Sequence, residues 1–470
     1  LMLDTEPDLS KSLFLHIDFT SGAVAAVSGG SDSTALLLLL KHHLDRSAPA
    51  TKLLAVTIDH GLRPGSAAEA QAVARLCATH AIAHRILTWS GPKPSTGLPA
   101  AAREARYRLL AEAAQAEGLG LILTGHTADD QAETVLMRQV RNDRLARKEG
   151  LARDEARGHA DTAGRGLAGM APATLYDWRS WILRPLLGMR RAALRDVLRR
   201  QDVDWADDPT NVDETFERPR LRAALTDRGG VQRVDNALAL AAQEGSARRQ
   251  LGLAAADLIR RFAIQPAAGL IRLDPGLLNA GEDRAAVYAL RILLATTGGI
   301  AFLPDQARSE ALFARLKTGF LCATLSRTVV DCRRAGIFLR REARGLPPAA
   351  AVTQGTLWDG RRRITLNNSS GALLIAPFGA AAKRPAIGEG ETPPSLMRAA
   401  LAAEPALWQA GECVGLPGDI RAPAVVEARP VVAPFARFLP SFDLAPARAV
   451  AGLIGAATVP PLPFSGHSAG

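Results

Sequence analysis

A short apolar run at residues 23–27, Ala-Val-Ala-Ala-Val, passes directly into Ser28, Gly29, Gly30, Ser31, Asp32 and Ser33, and a leucine-rich stretch follows at 34–44. A strand, a glycine-containing turn and a helix start in that order make an anion cradle. The two glycines let backbone approach an anion without a Cβ in the way, the first N–H groups of the helix point at it, and the three serine hydroxyls add donors. The loop lacks the Gly-Lys-Ser/Thr ending of a Walker A loop, so it binds phosphate by another arrangement. The pattern continues with an apolar run at 53–58 ending in Asp59, His60 and Gly61, a helix at 67–80, a strand at 85–89, a helix at 100–117 and a strand at 119–123. Such alternation predicts an α/β fold with a doubly wound parallel sheet. Ligands should then gather at the carboxyl ends of the strands, where Ser28, Asp59 and Gly125 fall.

At 470 residues the chain exceeds one ordinary hydrophobic core, so two or three domains are expected. The sequence suggests a nucleotide-binding domain over residues 20–225, a mainly helical domain over 226–340 and a small mixed domain with a Pro-rich tail over 341–470. A charge-dense insertion at 141–164 interrupts the first of these. With 57 Lys and Arg against 47 Asp and Glu, the formal charge of +10 favours an anionic partner. The bases are mostly Arg, which tilts that partner toward nucleic acid. The four cysteines, Cys77, Cys322, Cys332 and Cys413, form no C-x-x-C pair, so no zinc or iron–sulfur ligation pattern is readable. No secretory signal and no membrane-length apolar run is present, and a cytoplasmic protein with no membrane partner is expected.

Several side chains carry candidate chemistry. Arg103 and Arg106 lie three apart on one helix face, and Asp130 and Glu133 share that spacing at the start of the helix after the fourth strand, beside Asp129. Acids in a first helical turn also complement the helix dipole, which is the alternative reading. His126 is equally a satisfied structural histidine or a catalytic one. Asp59 is equally a strand-end cap, Arg184 a structural anchor, and the basic helix with Arg190, Arg191, Arg195, Arg199 and Arg200 a solvated face.

SGGSDS resembles the PP-loop of the N-type ATP pyrophosphatases, which cleave ATP between its α and β phosphates and attach AMP to a substrate carbonyl. Further segments narrow the resemblance to the bacterial tRNA(Ile)-lysidine synthetases. These are DHGLR at 59–63, Ala102-Arg103 with Arg106-Tyr107, GHTADDQAET at 125–134, GLAGM at 166–170, RPLL at 184–187 and WADDPTN at 205–211. The resemblance covers about residues 20–225. It implies ligation of L-lysine to the wobble cytidine of a tRNA(Ile) with a CAU anticodon, through an adenylated cytosine, with ATP as cosubstrate and Mg²⁺ as cofactor. It also implies that Ser28, Gly29, Gly30, Ser31, Asp32 and Ser33 bind the nucleotide. Arg106, His126, Asp130 and Glu133 would then be catalytic, with Asp32 and Asp130 as metal ligands. The alternatives are a tRNA 2-thiocytidine thiolase on the same ATP site, against which the missing C-x-x-C pairs weigh, and a non-catalytic RNA-binding protein on the same fold. Two departures stand out. The charged insertion replaces a short Gly-rich loop before GLAGM, and Arg218 to Arg222 reads RPRLR where the family has Asn in place of Pro219.

Overall fold

Residues Leu36 to Leu40 are five consecutive leucines, and all five are buried. A helix apolar on every side must be covered on every side, so this one is packed within its unit at about 1.5–3 kcal/mol per side chain. The computed structural model describes residues 6–61, 65–148, 166–206, 217–225, 229–366, 373–380, 392–418 and 426–464. They fall into two compact units, one of residues up to 246 with 460–464 and one of residues 247–459.

In the first unit, helix α1 (Glu6–Phe14) precedes an alternation of strands and helices. The strands are β1 (Ala23–Ala26), β2 (Leu53–Asp59), β3 (Ala83–Thr88) and β4 (Leu121–Thr124). The helices between and after them are α2 (Ser31–Ser47), α3 (Ser66–Thr79), α4 (Leu98–Ala116) and α5 (Ala128–Lys148). A hairpin of β5 (Ala173–Tyr176) and β6 (Ser180–Leu183) extends the sheet. The spatial order is β5-β6-β4-β1-β2-β3, parallel throughout except for β5 against β6. Central strands β1 and β4 are almost wholly buried, as parallel strands covered on both faces must be. The doubly wound parallel sheet is therefore present. The hairpin was not legible in the sequence, because its turn is made by Asp177 and Trp178, both at positive φ (51° and 59°), and not by glycine.

Helix α6 (Arg191–Arg200) occupies the basic stretch and buries Leu194, Val197 and Leu198 on one side. Helices α7 (Glu217–Ala224) and α8 (Gly230–Phe262) follow, and Val234, Ala237 and Ala241 of α8 pack on Ala132 and Val135 of α5. The charged insertion is described only to residue 148, where it continues α5; its remainder lies outside the described residues, as do Leu62, Arg63 and residues 207–211.

The second unit holds a five-stranded antiparallel sheet in the order β7-β8-β11-β10-β9, built from β7 (Ala263–Ala267), β8 (Leu270–Leu273), β9 (Leu321–Leu325), β10 (Thr328–Arg333) and β11 (Gly336–Arg341). Helix α9 (Asp283–Gly298), buried along nearly its whole length, lies against it, and α10 (Gln306–Thr318) follows. The stretch expected to be mainly helical thus also supplies strands, which are short and Ala- or Arg-containing and carry no clear period of two. Two smaller sheets draw only on residues from 350 onward. No helix among the described residues is long and apolar enough to cross a membrane.

Candidate active site

The loop at 28–33 closes on itself. The Ser28 N–H donates to Ser33 Oγ at 3.1 Å, the two hydroxyl oxygens are 3.1 Å apart, and the Ser33 hydroxyl also lies 3.1 Å from the Gly30 carbonyl. Helix α2 starts at once, with Gly30 as its extended N-cap and the Thr34 N–H donating to the Gly30 carbonyl at 3.0 Å. Gly30 has no side chain to cap this terminus, so among the described residues its leading N–H groups are left for a ligand. Gly29 sits at φ +86°, where a Cβ is strained, and its carbonyl accepts from Ala206 N–H at 2.9 Å.

One glycine brings the end of β4 against this loop, and another brings residues 169–170 against α5. A Cβ on Gly125, just past β4, would lie 2.9 Å from the Asp32 carbonyl and Ser33 Cα, so only glycine lets the end of β4 approach so closely. Gly169, at φ +65°, lies where a Cβ would come 2.6 Å from Gln131 Oε1. The Gln131 amide clamps Met170 by accepting from its N–H at 2.7 Å and donating to its carbonyl at 3.1 Å. This explains why Gln in the 125–134 segment and Gly-Met at 169–170 belong together.

Helix α5 opens with a capping box: Thr127 N–H and hydroxyl both donate to Asp130 Oδ2, at 2.9 and 3.0 Å. The other Asp130 oxygen accepts from Arg191 Nη2 at 3.0 Å, while Arg191 Nε donates to Asp32 Oδ2 at 2.8 Å. Glu133, 2% exposed, lies 3.8 Å from Arg191 Nη1 and accepts from Arg222 Nε at 2.7 Å and Nη2 at 3.2 Å. Asp32, Asp130 and Glu133 therefore converge, and two arginines that the sequence had not assigned to the site hold them. Burial works against the Arg191 guanidinium, yet Asp130 and Asp32 outweigh it and raise its pKa above the ordinary value. Asp129 is occupied elsewhere: its oxygens accept from the Arg190 guanidinium at 3.0 and 3.2 Å and from Arg191 N–H at 2.7 Å. Burial alone would raise its carboxyl, but these donors hold it below its usual value. Asp129 thus anchors the start of α6.

On the other side of β4 lies a cationic group. His126 Nδ1 is 2.9 Å from the Thr124 hydroxyl, which also lies 3.3 Å from the Leu183 carbonyl. Burial first, then the charges of Arg184, Arg106 and Arg103, push His126 well below its ordinary pKa, so the ring is neutral at pH 7. The guanidiniums of Arg103 and Arg106 lie 5.0 and 5.3 Å from the Tyr107 ring. Burial would raise that phenol, but Arg106, Arg184 and Arg103 together bring it down to about 7. Arg106 Nε is buried without a hydrogen-bond partner among the described residues. Arg184 is 5% exposed and donates through Nη1 to the Ala171 carbonyl at 2.7 Å and to Thr174 at 3.0 Å, which is the structural-anchor reading. Asp59 likewise caps its strand end, accepting from Gly61 N–H at 2.8 Å and the Ser66 hydroxyl at 2.7 Å. Arg195 and Arg199 flank the Trp205 ring at 5.6 and 5.8 Å.

A PP-loop domain model matches residues 10–228. Over all 470 residues, the chain is 72% identical to the tRNA(Ile)-lysidine synthase of Mesorhizobium japonicum, with the whole of both chains covered. The chain belongs to the tRNA(Ile)-lysidine synthase family. A second family member, from Brucella canis, is 37% identical over 446 residues, covering 92% of this chain and 94% of its own. The residues missed in the sequence as parts of the site, Arg191 and Arg222, sit in segments that were read as a basic face and as an imperfect RPRLR run. Their guanidiniums reach carboxylates 61 and 89 residues away, and no local spacing announces such a pairing.

Proposed function

We propose that the chain uses ATP to join L-lysine to the wobble cytidine of a tRNA(Ile) with a CAU anticodon. The observation that carries this reading is the convergence of an uncapped PP-loop, three carboxylates and a cationic group around neutral His126 at the end of one parallel sheet. In the first step the cytosine 2-oxo oxygen attacks the α-phosphorus of ATP and pyrophosphate leaves. The PP-loop serines and helix N–H groups bind the phosphates, and Arg106, whose Nε has no hydrogen-bond partner among the described residues, offsets negative charge developing on the α-phosphate. In the second step the lysine ε-amine attacks C2 of the adenylated ring, and AMP leaves carrying the former 2-oxo oxygen. The ammonium, attracted by Asp130 and Glu133, must first lose a proton to solvent, while His126, whose charged form burial and the neighbouring arginines disfavour, stays neutral and positions the amine.

The donor set fits Mg²⁺ delivered with the nucleotide. No group of three or more His, Cys, Asp or Glu suited to a metal exists among the described residues, yet Mg²⁺ at nucleotide sites needs only one or two carboxylates beside phosphates and water. Asp32 and Asp130, bridged by a single guanidinium, are those two. When bound, Mg²⁺ would neutralise charge on the departing pyrophosphate.

A sulfur-transfer reading needs an accessible thiolate near the activated base. Cys77 is the cysteine of the first unit; it is buried, and burial pushes its thiol up to about 11. Mass analysis of nucleosides from a tRNA(Ile) transcript incubated with protein, ATP, Mg²⁺ and lysine tests the proposal. A cytidine gaining lysine minus water supports it, whereas a thiolated or unmodified cytidine refutes it.

A further inference from the structure

Arg191 lies at the centre of the carboxylate group and has no place in the reaction as written above. It is the first residue of α6, and its backbone N–H is fixed by Asp129 at 2.7 Å. The side chain is thereby aimed between α2 and α5, where one planar guanidinium serves Asp32 at 2.8 Å and Asp130 at 3.0 Å and lies 3.8 Å from Glu133. The rigid donor fork of Arg suits such bridging, whereas a Lys ammonium is a compact point charge. Three carboxylates face two guanidiniums here, Arg191 and Arg222, so the group retains about one net negative charge. Arg191 also touches the two carboxylates best placed to receive a metal ion, so the guanidinium and a divalent cation compete for the same oxygens.

We infer that Arg191 is a positioning residue. It is a built-in counter-ion that holds the PP-loop helix and the signature helix in register without nucleotide, and it yields those carboxylates to the divalent cation that arrives with ATP. The inference deepens the ligase reading, since that reading supplies the nucleotide and the ion. It gives the basic start of α6 a task that is neither a solvated face nor RNA contact. It also gives the cation site a built-in safeguard: Asp32 and Asp130 share one guanidinium until Mg·ATP arrives, so free divalent ions bind more weakly than they would to the bare carboxylates.

The test measures Mn²⁺ binding to the nucleotide-free, full-length protein by loss of the free-ion paramagnetic resonance signal. This readout is independent of lysine ligation, which is assayed separately on the wild-type protein. Arg191→Ala is expected to tighten Mn²⁺ binding about tenfold or more, because two carboxylates lose their nearest opposite charge. Arg191→Lys should fall between Arg191→Ala and wild type. In the double variant Arg191→Ala/Asp32→Asn the gain should vanish, which assigns it to these oxygens. Unchanged Mn²⁺ affinity in folded Arg191→Ala, or a gain that persists in the double variant, overturns the inference. Should Arg191→Ala fail to fold, Arg191→Lys decides alone: affinity equal to wild type refutes the inference and a several-fold gain supports it. A wild-type protein that modifies no cytidine with lysine refutes the ligase reading while leaving the Mn²⁺ result to decide the role of Arg191.

Discussion

Replacing Gly125 by Ala adds a single carbon at the closest approach between the end of β4 and the PP-loop. That carbon would sit 2.9 Å from the Asp32 carbonyl carbon and oxygen and from Ser33 Cα, where ordinary contacts run from 3.4 to 4 Å. All three neighbours are main chain, so no side chain can swing aside, and the loop must retreat by about half an ångström or more. Gly125 is not at positive φ, so the substitution brings no conformational strain of its own. Overpacking of this kind costs about 1–3 kcal/mol. For a unit of this size that corresponds to a fall in Tm of roughly 2–12 °C. Function should suffer more than stability, because the same retreat moves Asp32 and the phosphate-binding N–H groups away from Asp130 and Glu133. A misplacement approaching 1 Å costs about a hundredfold in rate. The assay is tRNA-dependent AMP release from ATP beside calorimetric unfolding, with Gly65→Ala as control, since a Cβ there meets nothing within 4 Å. Wild-type turnover in Gly125→Ala would show that the loop tolerates displacement and that the geometric argument is wrong.

Four further outcomes are expected. Asp130→Asn keeps an oxygen for the Thr127 cap but not the charge facing Arg191, so turnover should drop about a hundredfold with little change in Tm, whereas Asp130→Ala should also lose about 1 kcal/mol from the cap; equal Tm losses would refute this division. Because the folded pKa of His126 is depressed, the unfolded chain binds the extra proton as pH falls below about 6.5, and stability declines there. His126→Gln should flatten part of the fall in Tm between pH 7 and 5, and an identical pH profile would count against a neutral buried ring. A variant with all four cysteines changed to Ala or Ser should still transfer labelled lysine to tRNA, and loss of turnover in a folded variant would contradict the ligase reading. In the second unit, Asp443 is fully buried and accepts from Arg248 Nε at 2.9 Å and the Tyr288 hydroxyl at 3.1 Å, so Asp443→Ala should cost about 3–5 kcal/mol, measured by denaturant unfolding.

The strand–helix alternation and the PP-loop were legible because both are local: a strand, a glycine turn and a leucine-rich helix stand within some twenty residues. Asp130 and Glu133 were legible from their spacing on one helix, and the structure places them with Asp32. Asp129, next to Asp130 in sequence and left open between a ligand and a complement to the helix dipole, faces Arg190 and the α6 backbone. Arg191 was read with its neighbours as part of a basic surface, since nothing in a run of arginines says which one turns inward. That is decided by Asp129 pinning the helix start, a contact across 62 residues. The β5–β6 hairpin escaped for a related reason: Asp177 and Trp178 adopt left-handed conformations that sequence preference assigns to Gly or Asn.

The hydrogen bond from Ala206 N–H to the Gly29 carbonyl has a consequence for how the molecule is made. The strand, turn and helix of the PP-loop leave the ribosome early, but the segment that fastens the loop's backbone is synthesised roughly 180 residues later. At about 5–20 residues per second that is a delay of roughly 10–35 s. Through that interval the nascent chain carries the signature of a nucleotide site without the tie that shapes it. The tie is therefore made only after Asp32, Asp130, Glu133, His126 and the α6 arginines have all been synthesised.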